Sequence, residues 1–215
     1  MAGIFDLLNS DLGKTIISGV SGSTGTDQNK TSSVLTMALP VLMKAMERNA
    51  STPEGAQGLM GALSGKHDGS ILDNLGGLFG GGVNDEVTND GAKILGHVLG
   101  NKQQGVEKVI GEKSGLDIGS VANILKVAAP ILMGVLGKQA KQNNVSSQSD
   151  LGGLLGGLLG GAGNSGPVTK EQTFLEKVLD SDGDGSIIDD VAGMVLGGGK
   201  SKGGLGGLLG GLFGK

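Results

Sequence analysis

The chain has 215 residues, of which 45 are glycine and none is cysteine, tryptophan or tyrosine, and it carries a formal charge of -4. A chain of this length can bury a core, and with four Phe the core must come from Leu, Ile, Val, Ala and Met. Disulfides, thiolate metal sites and cysteine nucleophiles are excluded, and nucleic acid is not an expected partner because the 17 basic residues form no cluster and have almost no aromatic rings among them.

The start, Met1 to Asp6, lacks a basic segment followed by a long apolar one, so no secretory signal is read and a cytoplasmic location is expected. Ile4 to Val20 is predicted as a helix. Val34, Leu35, Ala38, Val41, Leu42, Ala45 and Met46 then recur at three- and four-residue steps, the spacing that gathers side chains on one helical face. Pro40 lies within this helix and predicts a kink, or a restart with the proline in the first turn. Glu54 to Leu63 follows as a shorter helix. His67 falls in a polar turn, and Ser70 with Asp73 three residues on reads as a capping box opening the next helix.

Leu75 to Gly82 is the first of three Gly/Leu stretches. Asn89 or Asp90 is the expected cap of a helix through Ile94, Leu95, Val98 and Leu99, with His97 at the edge of its apolar face. Gln103 to Glu112 is the next helix. Val121, Ile124, Leu125, Ala128, Leu132, Val135 and Leu136 then repeat the earlier stripe. A shift of 90 positions lays Pro130 on Pro40 and Ile124 to Met133 on Val34 to Met43, which reads as one supersecondary unit used twice, a pair of small helical bundles sharing an interface. The most apolar run, Val127 to Leu136, is shorter than the roughly 18 residues of a spanning helix.

The other Gly/Leu stretches, Leu151 to Gly163 and Gly203 to Phe213, place leucines at i, i+3, i+4 and i+7 between glycines. Each glycine costs about 0.8–1 kcal/mol against alanine in a helix, so these segments need a core, a partner or a lipid surface to dock on. A shift of 116 positions also lays Asp184 on Asp68, with Ser186 and Asp189 as a second candidate cap.

The one motif with a chemical mechanism is Asp180-Ser181-Asp182-Gly183-Asp184-Gly185-Ser186, flanked by predicted helices Thr169 to Leu179 and Ile187 to Leu196. Alternating carboxylates before a turn-permitting glycine converge on one centre, and calcium is the ion they favour. The ligand set would be Asp180, Asp182, Asp184, the carbonyl of Ser186 and Asp190. Position twelve of the loop is Val191 instead of Glu, so a solvated acidic turn capping a helix is the competing reading. Ser64, Lys66 and Asp68 occupy the matching places of the earlier copy, which keeps the cap without the ligands. No serine elbow, zinc-binding His-Glu-x-x-His or phosphate loop is present, and no set of catalytic residues stands out.

Gly91-Ala92-Lys93-Ile94-Leu95-Gly96-His97-Val98-Leu99-Gly100, then Ser114-Gly115-Leu116, then Ala129-Pro130-Ile131-Leu132-Met133-Gly134 resemble the bacterial domain-of-unknown-function family nine-three-seven, akin to YidB-like proteins, over residues 1–145. The resemblance implies an all-helical bacterial domain with no assigned catalysis and no functional residue to carry over.

These readings give an all-α, internally repeated helical bundle with Gly-rich linkers and a C-terminal helix-loop-helix. The expected segments are a first repeat over 1–65, a connector over 66–88, a second repeat over 89–145, a linker over 146–166, the helix-loop-helix over 167–200 and a Gly/Leu tail over 201–215. The expected role is non-enzymatic, with a protein partner or homo-oligomer. Calcium binding that orders the C-terminus and membrane-surface association through Gly203 to Lys215 are the alternatives.

Overall fold

The computed structural model describes residues 3–160, and every regular element among them is helical. The ten α-helices are α1 (Ile4–Asn9), α2 (Asp11–Thr24), α3 (Gln28–Asn49), α4 (Pro53–Ser64), α5 (Ser70–Asp73), α6 (Leu75–Gly80), α7 (Asp85–Leu99), α8 (Gln103–Ser114), α9 (Ile118–Gln142) and α10 (Gln148–Gly160).

The helix predicted over Ile4 to Val20 is broken in two. Ser10 leaves helical backbone (ψ 167°), and its Oγ accepts from the Gly13 N–H at 3.2 Å, so a serine that would be neutral inside a helix caps a new one. The prolines do not restart their helices: α3 runs unbroken through Pro40 and α9 through Pro130.

Both long helices begin in the same way. α2 ends on Gly25 with φ +65°, and Asp27 caps α3 by accepting from the N–H groups of Asn29 and Lys30. α8 ends on Gly115 with φ +68°, and Asp117 caps α9 by accepting from the N–H of Ser120. In each turn the residue after the glycine donates its N–H back to a carbonyl near the helix end, Thr26 to Ser21 and Leu116 to Gly111, both at 3.1 Å. Left-handed backbone is what glycine supplies at a helix C-terminus, and Asp then satisfies the orphan donors of the next helix.

The apolar stripes of α3 and α9 fall in one continuous core, with Val34, Leu35, Leu42, Ile124, Leu125 and Leu136 almost wholly buried. By length and composition α9 is the one helix among the described residues that could cross a membrane, with a mean hydropathy of 1.7 over its most apolar window, but 67% of that window is buried inside the fold. Among the described residues, α7 packs along α9 more extensively than any other pair of helices. Their approach depends on Gly91, where a β-carbon would overlap the backbone carbonyl of Lys126. Further along α9, a β-carbon at Gly137 would overlap the carbonyl of His67, so the turn between α4 and α5 lies directly on that helix.

Candidate functional site

Two features of the surface are built by residues far apart in sequence: a groove between α3, α4 and α7, and the seat of α10 on α3 and α4. Neither contains Asp180, Asp182, Asp184, Ser186 or Asp190, which lie outside the described residues together with the tail from Gly203. Among the described residues no three His, Asp or Glu side chains converge as metal ligands.

The groove has a volume of about 810 Å³. Its floor is apolar, from Met46 of α3, Leu59 and Ala62 of α4, Ile94 and Val98 of α7 and Met133 of α9, and Arg48, Asn49, Thr52, Lys93 and His97 lie around it. Asn49 ties two of the walls together, donating from Nδ2 to the carbonyls of His97 (3.2 Å) and Val98 (3.4 Å) at the C-terminal end of α7. Thr52 caps α4 by accepting from the Gly55 N–H at 3.1 Å, with Pro53 in the first turn where its missing donor costs nothing.

At one end of the groove sits His67, 7% exposed. The two histidines therefore exchange the positions expected of them: His97 is exposed on α7, and His67 is buried in its turn. Gly137 explains the burial, since the missing side chain lets the turn carrying His67 settle against α9. The Nε2 of His67 is 3.6 Å from Oδ2 of Asp90, beyond hydrogen-bond range, so Asp90 acts on it as a charge. Asp90 is held more closely by Lys66, whose Nζ is 2.9 Å from Oδ1. Burial pushes the imidazole of His67 below its ordinary range, Asp90 opposes that shift, and Lys66 adds to it.

Asp90 is thus not a helix cap. α7 starts earlier, at Asp85, where Asn84 accepts from the Val87 N–H at 3.0 Å, and this places Asp90 mid-helix, facing Lys66 and His67. Ser70 is likewise not a cap: it is the first residue of α5, whose preceding residue Gly69 has φ +105°, and Asp68 accepts from the Ser70 N–H at 3.1 Å. Hydrogen bonds from Ser70 hold the Asp68 carboxyl below the usual carboxylate range, and Lys141 lies 3.6 Å away.

The seat of α10 shows what a Gly/Leu stretch does in this protein. Leu151, Leu154, Leu155 and Leu158 are buried, at 0 to 5% exposure, against α3, α4 and α9, while Gly153 and Gly157 face outward. Burying four leucines is worth about 1.5–3 kcal/mol each, which outweighs about 0.8–1 kcal/mol for each of the four glycines among them. One polar group, Gln148, ties the helix to its seat, and Asp150 caps the start of the helix itself. Gln148 donates from Nε2 to the carbonyls of Ala50 (3.1 Å) and Ser51 (2.9 Å), and Asp150 accepts from the N–H groups of Ser146 (3.2 Å) and Ser147 (3.0 Å).

Sequence reasoning missed the groove because its walls come from three helices, and nothing near His67 in the chain points to Asp90 or Asn49. No curated protein and no solved structure matches the chain. One family model matches residues 6–139, a span that contains every residue lining the groove and stops short of α10. On a match across more than half of its length, the chain belongs to the family described as bacterial protein of unknown function (DUF937).

Proposed function

We propose that the protein is a non-catalytic module of protein interaction or self-assembly, whose Gly/Leu segments dock through their leucines on apolar helix faces. The observation that supports this reading is α10, a Gly/Leu stretch whose four leucines are buried on a face formed by other helices. The groove beside that seat adds a second apolar surface, flanked by Arg48 and Lys93. The test is light scattering of the full chain over a wide concentration range, alongside L59D in the groove floor. Mass that rises with concentration and falls back in L59D is expected. A strict monomer that also captures nothing from a bacterial lysate would refute the reading.

We also read the two turn-and-helix segments, Gly25 to Asn49 and Gly115 to Gln142, as one unit used twice; their left-handed glycines, Asp caps and internal prolines at matching positions support it. Calcium binding by Asp180, Asp182, Asp184, Ser186 and Asp190 stands as a further role, supported by their spacing alone.

A further inference from the structure

α10 is not the only segment of this chain with its docking face. Leu151 to Gly160 reads Leu-Gly-Gly-Leu-Leu-Gly-Gly-Leu-Leu-Gly, and Leu205 to Gly214 reads Leu-Gly-Gly-Leu-Leu-Gly-Gly-Leu-Phe-Gly, identical at nine of ten positions. The four leucines that α10 buries, Leu151, Leu154, Leu155 and Leu158, correspond to Leu205, Leu208, Leu209 and Leu212. The single difference puts Phe213 where Leu159 packs, partly buried, at the edge of the core. A face that recognises α10 through those side chains has no chemical means of rejecting the second segment.

We infer that the seat on α3, α4 and α9 also accepts Leu205 to Gly214 of the same chain, so that two segments compete for one face. This rests on the docking reading above. Reach is not a barrier: to enter in the same register, the 44 residues 161–204 need only span the length of α10, about 20 Å for its 13 residues, against a maximum of about 3.3 Å for each residue of the connection.

The contacts also rank the two competitors. Asp150 closes the capping box at the start of α10 with Ser147, and its counterpart Gly204 has no side chain to do so, whereas Lys202, the counterpart of Gln148, can still donate to the carbonyls of Ala50 and Ser51. α10 follows α9 after a short connection and so has the higher effective concentration at the seat. α10 therefore holds the seat most of the time, and the second segment is the minor occupant. When it docks, α10 is displaced and its leucines become available to a partner, which makes the seat a two-position device within the self-assembly reading.

The absence of cysteine makes proximity directly measurable. A β-carbon at Gly156 would lie 3.9 Å from the Glu47 carboxylate, and Gly210 is the counterpart of Gly156. In the full chain, E47C/G156C should be linked by a short bis-maleimide reagent, reporting α10 in its seat. E47C/G210C should give a weaker intrachain link, identified by mass spectrometry, that rises severalfold when L154D/L155D weakens α10 and is lost with L208D/L209D. Circular dichroism checks that L154D/L155D keeps its helices; if it does not, the comparison of E47C/G210C with and without L208D/L209D decides alone. A G210C link no stronger than in L208D/L209D, with the G156C link intact, overturns this inference and leaves the docking of α10 standing. Loss of the G156C link would instead sink the docking reading itself. A G210C link found only between chains overturns intrachain occupancy and makes a second copy the source of the segment.

Discussion

Gly91 and Gly96 lie in the same helix, and alanine at the two positions should act in opposite directions. In a helix interior Gly to Ala gains about 0.4–1 kcal/mol from reduced backbone entropy of the unfolded chain and better propensity. At Gly96, exposed on α7 with nothing within 4 Å of the added methyl, that gain should be realised. At Gly91 the methyl would overlap the Lys126 carbonyl, a backbone atom of α9 that no rotamer change can remove. α7 must then shift along the interface that buries Ile94, Leu95 and Leu99, and overpacking of this kind costs about 1–3 kcal/mol, sometimes more. Subtracting the propensity gain leaves G91A destabilised on the order of 1–2 kcal/mol. At about 2–4 °C per kcal/mol for a protein of this size, G96A should raise Tm by about 1–4 °C and G91A should lower it by about 2–8 °C. Thermal unfolding followed by circular dichroism at 222 nm measures both. If the two variants shift in the same direction, the close crossing of α7 on α9 is wrong.

Thr31 is fully buried and its Oγ1 has no hydrogen-bond partner, whereas the residue 90 positions on is Val121, also fully buried; T31V should therefore gain about 1 kcal/mol, read from urea midpoints, and a loss would mean that the hydroxyl has a partner. Because burial holds His67 below its ordinary pKa, the unfolded chain takes up the proton first. Stability should then fall as pH drops from about 6.5 towards the lowered folded value, and be constant above that window. Asp68, Asp117 and Asp150, whose hydrogen bonds hold them low, also lose stability in acid, but over the carboxylate range. H67Q should flatten only the portion near pH 6, and an unchanged profile in that variant would show that His67 is not the group responsible. Calorimetric titration of the full chain with millimolar calcium should release or absorb heat, and D182N/D184N should abolish the signal; no heat with the native chain disposes of the calcium loop.

Local chemistry was readable directly from the chain. The stripes of α3 and α9 announce themselves because helical period alone decides which residues share a face, whereas the glycine and the aspartate two residues on that make the turn before each long helix were visible only in their backbone angles and hydrogen bonds. The Gly/Leu pattern of α10 carried its amphipathic face as the stripes did, but not the surface that covers it. Choices between neighbouring local solutions were less visible: Ser10 rather than a continuous helix, and Asn84 rather than Asn89 or Asp90. Each pits a cap worth about 1 kcal/mol against a continuing helix, and packing elsewhere tips the balance.

The groove and the state of the histidines belonged wholly to tertiary structure. His67 and His97 each sit in polar or mixed surroundings along the chain, and only the contact of Gly137 with the turn at His67 determines which one is buried. Asp90 meets Lys66 and His67 because α7 crosses α9 at Gly91, a distance relation that no pattern of residues along one helix encodes. Periodicity specifies which face of a helix must be covered; which partner covers it depends on close packing among all the helices at once.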